Sequence, residues 1–348
     1  MSRHRTLLIG RLDGRWNMRL HTAGLLTGSL LCLACLLLAC CALQAGTLAL
    51  GTDQIILALQ GEGPARLQAV VLQWRLPRVV FALVVGGALG MSGAIFQSLI
   101  RNPLGSPDVI GFNTGAHTGA LVTIVLLQGS YFQIAGGALL GGLASALLVY
   151  LLAYRQGVDN FRLIIVGIAV SAMLAAFNTW LTISASLESA MSAALWGAGT
   201  LNGITWDKGA APALFCLLAV LAVLALGRRM HLLEMGDDSA SALGIPAERT
   251  RLAMMGLGVV LTAAATAAAG PISFIALAAP QIAQRLSRSH STSLLGAAWT
   301  GALLLLSADY AAQHLFPPHQ LPVGVVTVSI GGIYLVWLLL RQSRPEST

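Results

Sequence analysis

The sequence predicts an all-α membrane protein of ten transmembrane helices, and three observations carry that expectation. Hydrophobic residues make up 56% of the 348 and charged residues 9%, a balance that excludes an ordinary water-soluble domain. Ten apolar runs are long enough to cross a bilayer whose hydrocarbon core is about 30 Å thick. The basic residues also sort by side: four of the twenty, Arg66, Arg75, Arg78 and Lys208, fall opposite the N-terminus and the other sixteen on its side. Positive charge stays cytoplasmic, so both termini and residues 228–251 are expected there. Residues 1–348 are read as a single transmembrane domain.

Residues 1–21 form a basic segment with Arg3, Arg5, Arg11, Arg15 and Arg19, leading into an apolar run from about Thr22 to Ala45. A signal peptide competes for this stretch, and Leu37-Leu38-Ala39-Cys40 echoes a lipoprotein box. The charged region is long and the run spans a full bilayer, which favours an uncleaved first helix. Further spans are expected at 79–100, 109–127, 131–153, 163–183, 210–227, 252–269, 270–287, 294–313 and 323–340. Gly270-Pro271 interrupts the start of the eighth.

Thirty-eight glycines suit close helix packing in lipid, and Gly86, Gly90, Gly137 and Gly141 recur at helical spacing. The five cysteines all lie in apolar runs, which indicates neither a disulfide framework nor a zinc site. His117 is a lone histidine in a span, best read as a packed, hydrogen-bonded residue. Asp309 is the sole carboxylate within an expected span, about one turn from its outer end, and a structural role is expected of it. Arg75 and Arg78, in Trp74-Arg75-Leu76-Pro77-Arg78, sit on the side poor in cations. They either anchor the interface with Trp74 or face an acidic partner.

Between the sixth and seventh spans lies a charged stretch, residues 228–251. Asp237 and Asp238 suit a helix N-terminus, Gly244 can stop that helix in a left-handed conformation, and Pro246 with Glu248 can open the next. Such a turn is either a solvated loop or a handle gripped by something in the aqueous phase.

With these residues in place, the chain resembles the iron-siderophore and cobalamin permeases, the membrane subunits of type II ABC importers. Gly236, Ala240, Leu243 and Gly244 match the family's Gly-x-x-x-Ala-x-x-Leu-Gly unit that docks into the ATPase, with Asp237 and Asp238 inside it. The run Arg101-Asn102-Pro103-Leu104-Gly105-Ser106-Pro107-Asp108, continued to Ala116, is the most specific match. The resemblance gives Asn102 and Leu104, with Asp159 and Asn160, a place at the cytoplasmic gate. It gives Arg75 and Arg78 the role of meeting carboxylates on a periplasmic binding protein. Gln281 stands where relatives carry histidine, Gln313 where cobalamin-type relatives carry arginine, and Asp159 where those relatives carry hydroxyls.

The resemblance implies the type II importer permease fold, with helices 2–5 related to 7–10 by inversion. It also implies a bacterial inner-membrane location, a cytoplasmic ATPase dimer, a periplasmic siderophore-binding protein and a second permease subunit. The match is nearest to the branch that carries ferric enterobactin and pairs two non-identical permeases. Other chelates, such as cobalamin or heme, are the alternatives within the family.

No Gly-Lys-Ser/Thr phosphate loop is present, and the single lysine, Lys208, precedes Gly209, so ATP hydrolysis falls to a separate subunit. No metal-ligand spacing and no cofactor motif appear, so no metal or cofactor is expected. The arginines are dispersed over loops, which argues against nucleic acid and leaves membrane lipid as the surrounding partner. An ion-coupled secondary transporter would need titratable groups near the midplane, where only His117 and Asp309 are on offer. A structural scaffold would leave the charged turn unexplained.

Overall fold

The computed structural model describes residues 6–9, 18–46, 48–108, 111–154, 160–288, 293–317 and 319–342. A backbone in hydrocarbon must satisfy its own N–H and C=O groups, and the apolar runs do so as helices. The basic N-terminal segment contains two short antiparallel strands, β1 (Thr6–Ile9) and β2 (Met18–His21), ahead of α1 (Thr22–Gln44). A short helix α2 (Thr52–Leu59) follows. Then α3 (Ala65–Gln68), a π-helical stretch (Ala69–Arg75) and α4 (Leu76–Ile100) run on as one helix.

The order then continues with α5 (Phe112–Val125), α6 (Tyr131–Ala153), α7 (Asn160–Ser184), the short α8 (Leu187–Gly197) and α9 (Trp206–Glu234). The six-residue α10 (Asp237–Ala242) follows, then α11 (Ala247–Ala269), α12 (Ile275–Ser287), α13 (Leu294–His314) and α14 (Val323–Gln342).

Helix α4 is the centre of the bundle. Of its most apolar window 78% is buried, against 22% for α6, α7 and α9, and it packs on α9, α11, α12 and α13. Glycine makes the closest of these contacts possible. A Cβ at Gly90 would lie 2.2 Å from the Ala297 carbonyl oxygen, and one at Gly86 2.5 Å from that of Gly301. Helices α5 and α6 close on each other in the same way, through Gly119 and Gly141. In lipid, where burying apolar surface brings no gain, backbone proximity of this kind is what holds helices together.

Ten helices stand where ten apolar runs were expected, and α5, α12 and the apolar part of α14 (Val323–Tyr334) are the short ones. Among the described residues, seven are long and apolar enough to span. Helix α5 has 14 residues and α12 has 13, each about 20 Å at 1.5 Å per residue. The expected spans 109–127 and 270–287 thus hold short half-helices, each entered from non-helical chain. Gly111, before α5, has φ +76°, and Phe274, before α12, has φ +71°, both left-handed. The Asp108 carboxylate joins the two breaks, accepting hydrogen bonds from the Asn113 amide and from the Phe274 backbone. Both half-helices thus place their positive ends near one carboxylate.

Candidate functional site

The charged stretch folds as a compact handle. Gly236 has φ +111° and ψ 151°, a region only glycine enters without strain, and it turns the chain from α9 into α10. Asp237 and Asp238 occupy the first turn of α10. At its other end Ile245 N–H reaches the Ala240 carbonyl (3.0 Å) and Gly244 N–H that of Ser241 (2.9 Å), with Gly244 at φ +77°. That pair of bonds is the Schellman stop, and Pro246 then caps α11. Ala240 is fully buried, so the helix is seated on the bundle, whereas Leu243 is 60% exposed.

Asp237 also fastens this handle to the body. Arg251 Nη2 donates to both of its oxygens (2.7 and 2.6 Å), and Arg101 Nη2 to one (3.0 Å). The same Arg101 nitrogen reaches the Leu233 carbonyl at 3.0 Å. The Arg251 guanidinium first, and Arg101 after it, hold the Asp237 carboxyl below the usual carboxylate range against the opposing effect of burial. Beside them Ser98 donates to Glu234 at 2.8 Å. Read from sequence, Arg101 is an inside charge and the head of the family signature, with no sign of these partners. The available signal was that cations and carboxylates terminate several apolar runs on one side.

Arg101 is the last link between α4 and the proposed gate turn. It sits at φ +54°, in the left-handed region. Next to it the Asn102 side chain accepts the Leu104 N–H at 2.9 Å, closing a tight turn that leaves Leu104 51% exposed. Gln281, the departure from the family's histidine, donates to the Pro103 carbonyl at 2.6 Å. Asn102 and Leu104 are thus brought beside the handle. Asn160 begins α7, and Asp159 lies outside the described residues.

At the opposite end the two arginines expected to face a binding protein are paired inside the chain. Arg78 holds Asp309 through Nε (2.8 Å) and Nη2 (2.9 Å), with Gln320 on Nη1 (3.2 Å) and Gln313 on Asp309 (2.9 Å). The Arg78 and Asp309 side chains are 14% and 3% exposed. Arg75 donates to the Leu43 (2.7 Å) and Gln44 (3.1 Å) carbonyls, closing the C-terminus of α1. The sequence could not reveal the partners of these cations, 231 residues away for Arg78 and some 30 for Arg75.

Cys32 and Cys35 stand one turn apart on α1 as free thiols. No group of three His, Cys, Asp or Glu side chains clusters as metal ligands would among the described residues.

Comparison with known proteins now bears on this geometry. Residues 31–341 match the model of the FecCD transport family. The chain is 58% identical over 322 residues to the ferric enterobactin transport system permease protein FepG of Escherichia coli (strain K12), covering 92% of this chain and 98% of that one. It is 34% identical over 335 residues to the achromobactin transport system permease protein CbrC of Dickeya dadantii (strain 3937), covering 95% of each. Among solved structures, a metal-chelate type ABC transporter in an inward-facing conformation superposes with TM-score 0.79 at 27% identity, over 91% of this chain and 99% of that one.

Proposed function

Since the chain belongs to the FecCD transport family, we propose that it is the permease subunit through which an ATP-driven importer moves ferric enterobactin into the cell. The observation that carries the substrate is the 58% identity to FepG across nearly the full length of both chains. In this reading the chain sits in the bacterial inner membrane with both termini cytoplasmic. A second, non-identical permease completes the pore, an ATPase dimer grips α10, and a periplasmic binding protein delivers the chelate.

The exposed Leu243 on a turn anchored by Ala240 supports the ATPase contact. Closure of the ATPase would move α10, and the Asp237–Arg101 bond would carry that motion into the Asn102–Leu104 turn. Asp159 and Asn160 complete the proposed gate. Arg75 and Arg78 retain a docking role in this reading only as the frame of the outer surface, since their guanidinium groups already hold α1 and Asp309.

The test is complementation. Expressed in cells whose own ferric enterobactin permease of this type has been deleted, together with its cognate partners, the chain should restore uptake of radioiron presented as ferric enterobactin. Restored growth on a different chelate, with no uptake of ferric enterobactin, would reassign the substrate.

A further inference from the structure

A cavity of about 490 Å³ lies between α5 and α7, far from the handle. Helix α11 starts beside α10 and carries the chain to the other end, where Thr200 N–H bonds the Ala269 carbonyl at 2.7 Å. Pro271, just beyond, and Gly197, at the end of α8, close the cavity there. Its walls carry Asn113 and His117 from the half-helix α5, and Asn178 and Thr179 from α7.

Three polar side chains at this place have capacity to spare. Asn113 gives its amide N–H to Asp108, which orients the group and leaves Oδ1 as an acceptor. His117 uses one ring nitrogen on the Ala193 backbone and stacks on Trp196, leaving Nε2. Asn178 is only 6% exposed. Asn113 Oδ1, His117 Nε2 and Asn178 Oδ1 each expose under 1 Å² and have no hydrogen-bond partner among the described residues, so each meets a ligand in the cavity by turning its side chain toward it. Unpaired buried acceptors are rare in any protein, and three around one cavity in a membrane bundle are a pattern rather than an accident. The cavity also touches both interrupted elements, α5 and the break before α12, and interrupted helices are where transport sites are built.

We propose that Asn113, His117 and Asn178 form a transient contact for the travelling chelate, recognising N–H or O–H donors on the outer surface of a siderophore scaffold. The inference rests on the permease reading above. Neutral acceptors suit the task. They offset part of the ligand's lost hydration without the hold that a carboxylate or ammonium would exert, so the ligand is passed on.

The test uses the assembled importer in cells, with ferric enterobactin as the probe. Asn178→Leu should slow uptake about fivefold, the scale of one neutral hydrogen bond, and Asn178→Gln should recover part of it. Thr179→Trp fills the cavity from an exposed position and should slow uptake at least as much, so it decides the matter if Asn178→Leu misfolds. Recovery of the second permease and ATPase with each variant is measured alongside. Wild-type rates in Asn178→Leu and Thr179→Trp would overturn the proposal. Loss of the second permease from Thr179→Trp would overturn it too, assigning the cavity to the contact between subunits. Failure of the wild-type importer to take up ferric enterobactin would instead refute the parent reading, and this one with it.

Discussion

The two ends of the molecule use the same pair of side chains under opposite conditions. At one end Arg78 and Asp309 meet with side chains 14% and 3% exposed, between the start of α4 and the end of α13. At the other, Arg101 and Asp237 meet with 47% and 46% exposed, between the end of α4 and α10. Both pairs are anchored on α4, the most enclosed helix. A sealed pair resists opening, because separating it strands a charge in a medium that cannot solvate it. A pair half in water parts at little cost. On the proposed reading the molecule is locked at the sealed end, while a partner's motion enters at the articulated open end, where Arg251 keeps α10 attached through Asp237.

The sealed end should show the largest response. Arg78→Leu leaves the Asp309 carboxylate buried and unpaired, at a cost of about 3–5 kcal/mol. Thermal unfolding in detergent measures it, and the double change with Asp309→Leu should recover most of the loss. Asp309→Asn keeps the shape and two hydrogen-bonding atoms, so the protein that folds should still transport.

At the open end the effect moves from stability to coupling. Leu243→Asp should alter unfolding by no more than about 0.5 kcal/mol, since the residue is exposed. It should abolish co-purification of the ATPase and, with it, uptake. Normal recovery of the ATPase would make α10 an ordinary loop.

Gly244→Val comes next. A branched side chain at φ +77° costs about 1–2 kcal/mol, localised to the turn, and hydrogen exchange over 236–246 should accelerate.

The smallest effect belongs to Asp237→Asn, about 0.2–1 kcal/mol for a half-exposed pair. Its pH dependence has a definite sign. Arg251 and Arg101 lower the Asp237 pKa, so the pair's contribution is present above the usual aspartate range and is lost as pH falls through the lowered value. Hydrogen exchange at α10, read against pH in wild type and Asp237→Asn, should converge only on the acid side of that range.

Much of this architecture was legible because membrane physics writes it in composition. Run length located ten helices, the bias of arginines set their expected sidedness, and Gly244 and Pro246 marked the end of the handle's helix. The half-helices were not legible. Residues 109–127 are mostly apolar despite Asn113 and His117, and hydropathy does not show that helix begins only at Phe112, after a left-handed Gly111, and ends at Val125. Gly270-Pro271 hinted at the second break, although helix resumes only at Ile275. The partners of Arg75, Arg78 and Asp237 were likewise invisible, because each contact joins helices whose neighbours are settled by packing.

The most direct test of the articulated end is its energy source. Vesicles containing the complete importer, supplied with binding protein, ferric enterobactin and ATP, are measured with the proton gradient intact and collapsed. Uptake should continue unchanged without the gradient and stop when ATP is withheld or when Leu243→Asp replaces the wild-type chain. Uptake that stops on collapsing the gradient, with ATP still present, would contradict the account and give the transport work to an ion-coupled mechanism.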